Sequence, residues 1–485
     1  MSRSSRRAAF LAGMAVLAIP ALVWAHGALK SSAPAPNAKL DRPPESLVLT
    51  FTDPSPLSVT RVRLVGADSA VVALGPLEHV PGSGERGVRA PVVGRMAAGT
   101  YAVDWQTAGS DGHPVKGRFT FVVLTGAAPL EDSVAANAAS GTPMEQAPAA
   151  AEATFDAESP LYALIRFVTF TGLVTLLGVV VFVTGVLSAL ARNADAAVPM
   201  GIRNTATKRA LELAVGATVV LGVAGLARLG AQSYALFGAD ALDLRSVWGL
   251  VGGTSWGTGW TLQMVGVVAA LIAVAMVRRA HTRASKYGWP LLTVAAIALA
   301  MTPALSGHAS SGSGDTGLAV LADTLHVIGA GGWIGTLLLV VSAGIPAAWT
   351  LPEGDRELAV ATIVRAFSPI ALVFTGVLGA TGLFAAWIHL TAIADIWQSP
   401  YGRTLVLKLA ILSAVAATGW YNWKRVTPRL ETAAGVRLLR RTAVVEVGIA
   451  VLVLAVTAVL VATPPPSEME MGGAAAVGVE RVPTG

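Results

Sequence analysis

Two hydrophobic patterns divide the chain, and the first of them, between residues 26 and 124, is a short-range alternation. Leu47, Leu49 and Phe51 would share one face of a strand, and Val48 and Thr50 would share the other. Similar runs lie at 61–64, 101–106 and 118–123. Alternation of this kind predicts half-buried strands, and Pro- and Gly-rich turns separate the runs. About 100 residues built in this way predict a β-sandwich or barrel that buries its own core.

The second pattern begins near residue 161 and consists of long apolar segments. There are eight, at 161–190, 210–236, 261–277, 289–305, 318–345, 367–390, 404–423 and 442–462. Each approaches or exceeds the ~20 residues that a helix needs to cross about 30 Å of hydrocarbon. Because lipid cannot hydrogen-bond open backbone groups, every segment should be helical. We therefore predict an all-α polytopic membrane bundle over residues 160–463.

Composition and charge narrow the chemistry. Hydrophobic residues make up 54% of the chain and charged residues 13%, as expected for a protein that lies mostly in a bilayer. The net charge of +6 comes from short basic clusters between apolar segments, so it does not indicate nucleic-acid binding. The glycine-rich run at 252–257 lacks the Lys-Ser/Thr of a phosphate-binding loop, so no nucleotide site is expected. Because there is no cysteine, disulfides, thiolate metal sites and cysteine nucleophiles are excluded.

The segments outside the two folded regions indicate targeting and tethering. Residues 1–25 have early arginines, an apolar run and small residues before a cleavage point after Ala25, which is typical of a secretory signal peptide. Residues 125–159 are rich in Ala and Pro and acidic, and they predict a flexible linker. Residues 464–485 predict a disordered tail.

Basic clusters also predict the orientation in the membrane. Arg and Lys are concentrated in alternate connections, at 192–209, 278–286, 356–365 and 424–441. By the positive-inside rule these connections are cytoplasmic. The β domain and the C-terminal tail then lie on the periplasmic or extracytoplasmic side of the inner membrane.

A candidate metal site combines the predicted mature N-terminus with one turn of the β domain. Cleavage after Ala25 would expose the α-amine of His26, and Asp111-Gly112-His113 forms a turn between two predicted strands. Together these residues offer amine and imidazole nitrogens and a carboxylate oxygen. Such a tetragonal set of N and O ligands suits Cu(II), which leads the affinity order for them.

The same stretches resemble a known family. Residues 26–34, residues 43–51 and the Ser-Asp-Gly-His-containing motif at 110–121 resemble the periplasmic copper-binding protein CopC. The resemblance implies a Greek-key β-sandwich whose Cu(II) ligands here are His26, Asp111 and His113. A methionine-rich Cu(I) loop, present in some relatives, has no counterpart, because Met96 is the only methionine of the domain.

The membrane half resembles the CopD domain. The landmarks are Ser-Gly-His-Ala at 306–309, Ala-Asp-Thr-Leu-His at 322–326 with Gly-Gly-Trp-Ile-Gly at 331–335, Thr-Gly-Leu at 381–383, Tyr-Gly-Arg-Thr-Leu-Val-Leu-Lys at 401–408 and Val-Glu-Val at 445–447. Fusions of CopC and CopD domains are copper transport proteins, so the resemblance implies a role in copper homeostasis and resistance, with copper movement across the inner membrane, usually described as uptake.

Ionisable residues inside apolar segments mark a candidate copper path. Asp323 and His326 are three residues apart on one helical face, and charged groups at this depth are costly unless they serve a purpose. His308, Met301 and His389 lie toward the outer ends of their segments and extend the path, which would suit Cu(I). An alternative is that Asp323 and His326 only hold helices together, and His389 could be an ordinary interfacial residue.

Two other functions use the same residues. A copper-brace monooxygenase also has an N-terminal histidine, but Asp111 would occupy the position that oxygen needs. A haem-binding electron-transfer protein would need facing histidines, and only His326 is expected to be well buried. We therefore predict a non-enzymatic membrane copper transporter that captures Cu(II) outside and imports copper. Its expected partners are copper ions, lipid and a periplasmic copper donor or reductase.

Overall fold

The computed structural model describes residues 29–52, 54–108, 114–124, 159–192, 200–279, 285–307, 316–463 and 465–466. Its residues divide into two compact units. The β unit contains the described part of Trp24–Ala157 together with Ala231–Thr254. The helical unit contains the described parts of Glu158–Gly230 and Ser255–Met469.

The β unit is a sandwich of two sheets. Its nine strands are β1 (Leu29–Ala33), β2 (Lys39–Leu40), β3 (Ser46–Phe51), β4 (Arg61–Gly66), β5 (Val71–Val72), β6 (Glu78–His79), β7 (Gly87–Pro91), β8 (Gly99–Ala108) and β9 (Pro114–Val123). One sheet has the order β1-β3-β7-β6 and the other β2-β9-β8-β4-β5. The named strands pair in antiparallel fashion except for β2 and β9, which are parallel.

The core between the sheets follows the alternation in the sequence. Leu47, Leu49 and Phe51 are at most 1% exposed, whereas Val48 and Thr50 between them are half-buried. Their partners across the core come from the long hairpin of β8 and β9, where residues such as Val103 and Phe121 are fully buried. The predicted all-β sandwich is confirmed.

The described residues contain thirteen α-helices. All lie in the helical unit except for one short helix and the end of another, which belong to the β unit. They are α1 (Pro160–Val181), α2 (Ser188–Arg192), α3 (Met200–Phe237), α4 (Leu244–Gly253), α5 (Ser255–Arg278), α6 (Ser285–Leu305), α7 (Thr316–Ala330), α8 (Thr336–Leu339), α9 (Ile345–Ala348), α10 (Asp355–His389), α11 (Asp395–Gln398), α12 (Pro400–Tyr421) and α13 (Ala433–Leu460). Wider π-helical turns at Phe182–Leu187, Gly331–Gly335, Val340–Gly344 and Asn422–Val426 join some of them.

Eight of the described helical segments are long and apolar enough to cross a membrane, which confirms the predicted number. These spans are Pro160–Ala191, Gly201–Phe237, Ser255–Arg278, Lys286–Leu305, Gly317–Ala348, Asp355–His389, Pro400–Arg429 and Ala433–Leu460. The second, sixth and eighth helices begin about ten residues before their apolar segments. Hydropathy detects only the part of a helix that suits hydrocarbon, and the first turns of these three helices carry charged residues such as Arg203, Arg356 and Arg437.

Glycines allow the first and fifth spans to touch through their backbones. A Cβ atom on Gly335 would overlap the carbonyl oxygen of Val174 and the Cα atom of Gly178, and a Cβ atom on Gly178 would overlap the backbone of Gly335. Lipid provides little hydrophobic force between helices, so close backbone packing of this kind contributes much of their association.

We expect Gly335→Ala to destabilise the helical unit, because the added methyl group must separate the first and fifth spans. Gly376→Ala on α10 is the matched control, since nothing lies within 4 Å of a Cβ atom at that position. Thermal unfolding in detergent, followed by size-exclusion chromatography of the heated protein, should show a midpoint several degrees lower for Gly335→Ala alone. Equal midpoints for the two variants would contradict the backbone contact.

Candidate functional site

The strand termini that flank the predicted Cu(II) ligands lie at the same end of the β-sandwich. At this end Leu29, the first residue of β1, pairs with Phe51, the last residue of β3. The ring of Phe51 contacts that of Trp105 on β8 edge to face, with centroids 5.3 Å apart, so both sheets meet here. The β8–β9 hairpin turns between Ala108 and Pro114 at the same end.

The residues of the predicted Cu(II) site itself, His26, Asp111 and His113, lie outside the described residues. The structure does show the strands to which these residues are attached. His26 precedes the start of β1 by three residues, and Asp111 and His113 occupy the connection between β8 and β9. Met96, the single methionine of the domain, is 2% exposed and packs in the hydrophobic core.

Residues 231–254 cover this end of the sandwich, an arrangement that the sequence did not indicate. Arg61, at the start of β4, forms an ion pair with Asp240 (3.2 Å) and donates a hydrogen bond to Ser246 Oγ (3.3 Å). Its guanidinium also lies over the ring of Phe237, 4.9 Å from the centroid. Gln106, near the end of β8, donates to the carbonyl oxygen of Leu236. The polar rim of the strand ends is thus paired within the unit.

Helix α4 continues this covering layer and is fixed at its start by Asp243. The Ser246 backbone N–H donates to the Asp243 carboxylate (3.2 Å), and this hydrogen bond holds the pKa of Asp243 below its usual value. At the other end of α4, Ser58 Oγ donates to the carbonyl oxygen of Gly249 (3.1 Å). The first contact caps α4, and the second anchors it beside the short helical turn Leu57–Val59.

In the helical unit, His326 links two spans through a hydrogen bond. Its Nδ1 atom lies 3.0 Å from Thr381 Oγ1 on α10. Thr381 Oγ1 donates its own proton to the carbonyl oxygen of Val377 (2.8 Å), one turn earlier on the same helix. When this hydroxyl oxygen accepts from Nδ1 of His326, Nε2 carries the lone pair that a metal requires.

Two charged groups accompany this histidine. Asp323 lies one turn earlier on α7, and Lys408 on α12 interacts electrostatically with both Asp323 and His326. All three side chains are half-buried within membrane spans. Gly382 lies beside the imidazole, where even a Cβ atom would be 3.4 Å from Cε1. The cluster joins the fifth, sixth and seventh spans.

The other residues of the predicted path are placed separately. Met301 is half-buried in the fourth span, and His308 lies outside the described residues. The ring of His389, at the end of α10, contacts Tyr401 edge to face at 5.8 Å. Within the described part of the chain, no three His, Asp or Glu side chains are grouped so that they could hold a metal ion. Among the described residues of the path, Asp323 and His326 lie one turn apart on α7, whereas Met301 and His389 lie on other spans.

Sequence reasoning did not identify Thr381 as a partner of His326, and it assigned Lys408 only a structural role. Both residues do lie in motifs that the sequence singled out, at 381–383 and 401–408. A threonine in an apolar helix is common, so its residue type carries no signal. Lys408, a lone cation in an apolar segment, was the stronger clue to an acidic partner.

Comparisons with known proteins agree with this division into a β unit and a helical unit. The CopC domain family matches residues 29–124, the family "Copper resistance protein D-like, N-terminal domain" matches residues 155–318, and the family "Copper resistance protein D" matches residues 361–460. These matches cover both the sandwich and most of the membrane spans.

Individual relatives extend the similarity over nearly the whole chain. Copper transport protein CutJ of Bacillus subtilis is 23% identical over 93% of this chain and 76% of its own length. Copper resistance protein D of Pseudomonas syringae is 27% identical over 65% of this chain and 99% of its own length. Copper resistance protein C of the same organism is 32% identical over 25% of this chain and 98% of its own length. The chain is therefore a multi-pass membrane protein of the CopC–CopD copper resistance and transport family, with both kinds of domain in one polypeptide.

Proposed function

We propose that this protein captures Cu(II) on the extracytoplasmic face of the inner membrane and passes copper inward through its helical unit. The observation that carries the proposal is the hydrogen bond between Nδ1 of His326 and Thr381, which orients an imidazole inside an apolar bundle so that Nε2 can serve as a copper ligand. Relatives whose names describe copper transport and copper resistance match both units. Copper is the transported substrate in this proposal.

Capture would take place at His26, its α-amine, Asp111 and His113. The β-sandwich supports this assignment, because the start of β1 and the β8–β9 connection lie at one end of the domain. The burial of Met96 in the core leaves nitrogen and oxygen ligands, which favour Cu(II) over Cu(I). Covering residues 231–254 hold the strand ends around this site rigid through Arg61 and Gln106.

Passage through the membrane would use His326. Copper would bind at Nε2, with Asp323 one turn away providing negative charge and Met301, His308 and His389 serving earlier positions of the path. Lys408 neutralises Asp323 when copper is absent, since a carboxylate alone at this depth would be costly. An arriving copper ion would take over the charge compensation, and the ammonium group of Lys408 would move away.

The proposed direction is import, and the orientation follows from the basic clusters at 424–441 and in the alternate connections. Cu(II) is captured at a site of N and O ligands, while Cu(I) suits the imidazole and thioether path, so an external reductase or a periplasmic copper donor would supply the reduced ion. Copper binding here is not coupled to catalysis. The haem alternative needs two facing histidines, and the other described histidine of the helical unit, His389, contacts Tyr401 edge to face.

The capture site predicts a Cu(II) signal that depends on the β8–β9 connection. In electron paramagnetic resonance of the full-length protein loaded with one equivalent of Cu(II), His113→Ala should lose one nitrogen coupling, and the affinity for Cu(II) should fall at least tenfold. His79→Ala, on the edge strand β6, is the control and should leave the spectrum unchanged. A spectrum of His113→Ala identical to that of the unaltered protein would refute the assignment.

The membrane site predicts a dependence on Thr381. Thr381→Val removes the acceptor for Nδ1 of His326, so the imidazole loses its fixed tautomer and orientation. Loss of such a supporting hydrogen bond typically costs 10–100-fold in metal affinity. Competition with a Cu(I) chelator in detergent measures this affinity directly.

Thr375→Val is the matched control for Thr381→Val, because Thr375 lies on the same helix, is also half-buried and donates only to the carbonyl oxygen of Ala371. Its Cu(I) affinity should equal that of the unaltered protein. If the two valine variants bind Cu(I) equally well, the support of His326 by Thr381 has no role in copper binding.

A further inference from the structure

A second acidic group is buried in the membrane spans, away from the proposed copper path. Glu446, near the middle of α13, is 6% exposed and faces α12. Asn422, which is 8% exposed, donates a hydrogen bond from Nδ2 to Glu446 Oε1 (3.0 Å). Thr418, one turn earlier on α12, is its second hydrogen-bond partner. Gly419 makes room for the carboxyl group, since a Cβ atom there would lie 3.4 Å from Oε1.

Thr418 places a hydroxyl group beside Glu446. Its Oγ1 atom lies 2.8 Å from the carbonyl oxygen of Val415 and 3.1 Å from that of Ala414, both on its own helix. When the hydroxyl donates to these carbonyls, its oxygen is an acceptor for a carboxylic acid, which has a proton to donate. The site thus offers a hydrogen-bond acceptor to a protonated Glu446.

Asn422 places a second acceptor near the carboxyl group. Its Oδ1 atom is buried and has no hydrogen-bond partner. A side-chain amide offers both a donor and an acceptor, so it can accommodate a carboxylic acid. The π-helical turn that begins at Asn422 places this amide opposite Glu446, and such turns often occur at functional sites.

Among the described residues, no basic side chain forms an ion pair with Glu446. The described salt bridges do not include it, and its electrostatic and hydrogen-bond partners are confined to Asn422 and Thr418. The basic groups on the elements around it have other partners. Arg440 lies over Trp349, Lys424 over Trp423 and Arg166 over Tyr162, while Arg365 pairs with Glu431. Arg441 and Arg425 are exposed.

We propose that Glu446 is a proton-binding site of the helical unit, built from Glu446, Asn422 and Thr418. A buried carboxyl group without a cation keeps its proton, because an isolated charge is far more costly than a neutral, hydrogen-bonded acid. Glu446 lies five residues, or about 8 Å along the helix, from Arg441 in the basic cluster. Protons can therefore exchange with the aqueous phase on that side of the membrane. The proton is a second ligand of this domain, bound independently of copper.

Infrared spectroscopy of the copper-free, full-length protein in liposomes tests the proton directly. At neutral pH, exposed carboxyl groups are ionised, since their pKa values are about 4. We expect one carbonyl-stretch band of a protonated carboxyl group, which shifts on exchange into D₂O and disappears reversibly as the pH is raised. Glu446→Gln should abolish the band, because the amide is isosteric but holds no acid proton. Glu353→Gln, at an exposed glutamate between the fifth and sixth spans, should retain it.

Asn422→Ala provides a second test that keeps the acid. Loss of the donor to Oε1 should move the band to higher frequency without abolishing it. Absence of the band in the unaltered protein, its persistence in Glu446→Gln, or a band that never titrates while the protein stays folded would each overturn the proposal. Since copper is absent throughout, these outcomes are independent of whether the protein transports copper.

Discussion

Inside a bilayer no water is available to hydrogen-bond a polar side chain, and this constraint determines where chemistry can occur in the helical unit. Most hydroxyl groups satisfy it locally by donating to a carbonyl oxygen one turn earlier, as Thr381 and Thr418 do. The oxygen of such a hydroxyl can still accept from a group on another helix. Thr381 meets His326 in this way, and Thr418 meets Glu446.

The two units differ in how the polar groups around their candidate metal ligands are arranged. In the helical unit, the buried or half-buried groups Asp323, Lys408 and Glu446 each interact with another side chain, so a copper site there would be assembled by displacing a contact such as that between Lys408 and Asp323. In the β unit, strand termini converge at one end, where residues 231–254 pair the surrounding polar groups. The proposed function assigns copper capture to these strand ends and copper transfer to the displaceable cluster.

Much of this organisation follows from the sequence. Alternating residues such as Leu47 and Leu49 determine which face of β3 is buried, and eight apolar segments determine eight spans, because both patterns depend on local solvent preference. Contacts between residues that are distant in the sequence cannot be predicted in this way. Thr381 and His326 are 55 positions apart, and Asn422 and Glu446 are 24 apart. Only tertiary packing brings them together, and neither threonine nor asparagine is distinctive enough to identify its partner. The attachment of residues 231–254 to the sandwich likewise depends on three-dimensional contacts of Arg61.

The most direct test of copper import through His326 is the copper content of cells, measured by elemental analysis at sub-toxic external copper. Cells without the protein, cells with the unaltered protein and cells with His326→Ala at equal expression are compared. The account predicts that copper content rises with the unaltered protein and returns to the level of cells lacking it with His326→Ala. Equal or lower copper with the unaltered protein, or an unchanged rise with His326→Ala, would contradict import by this route.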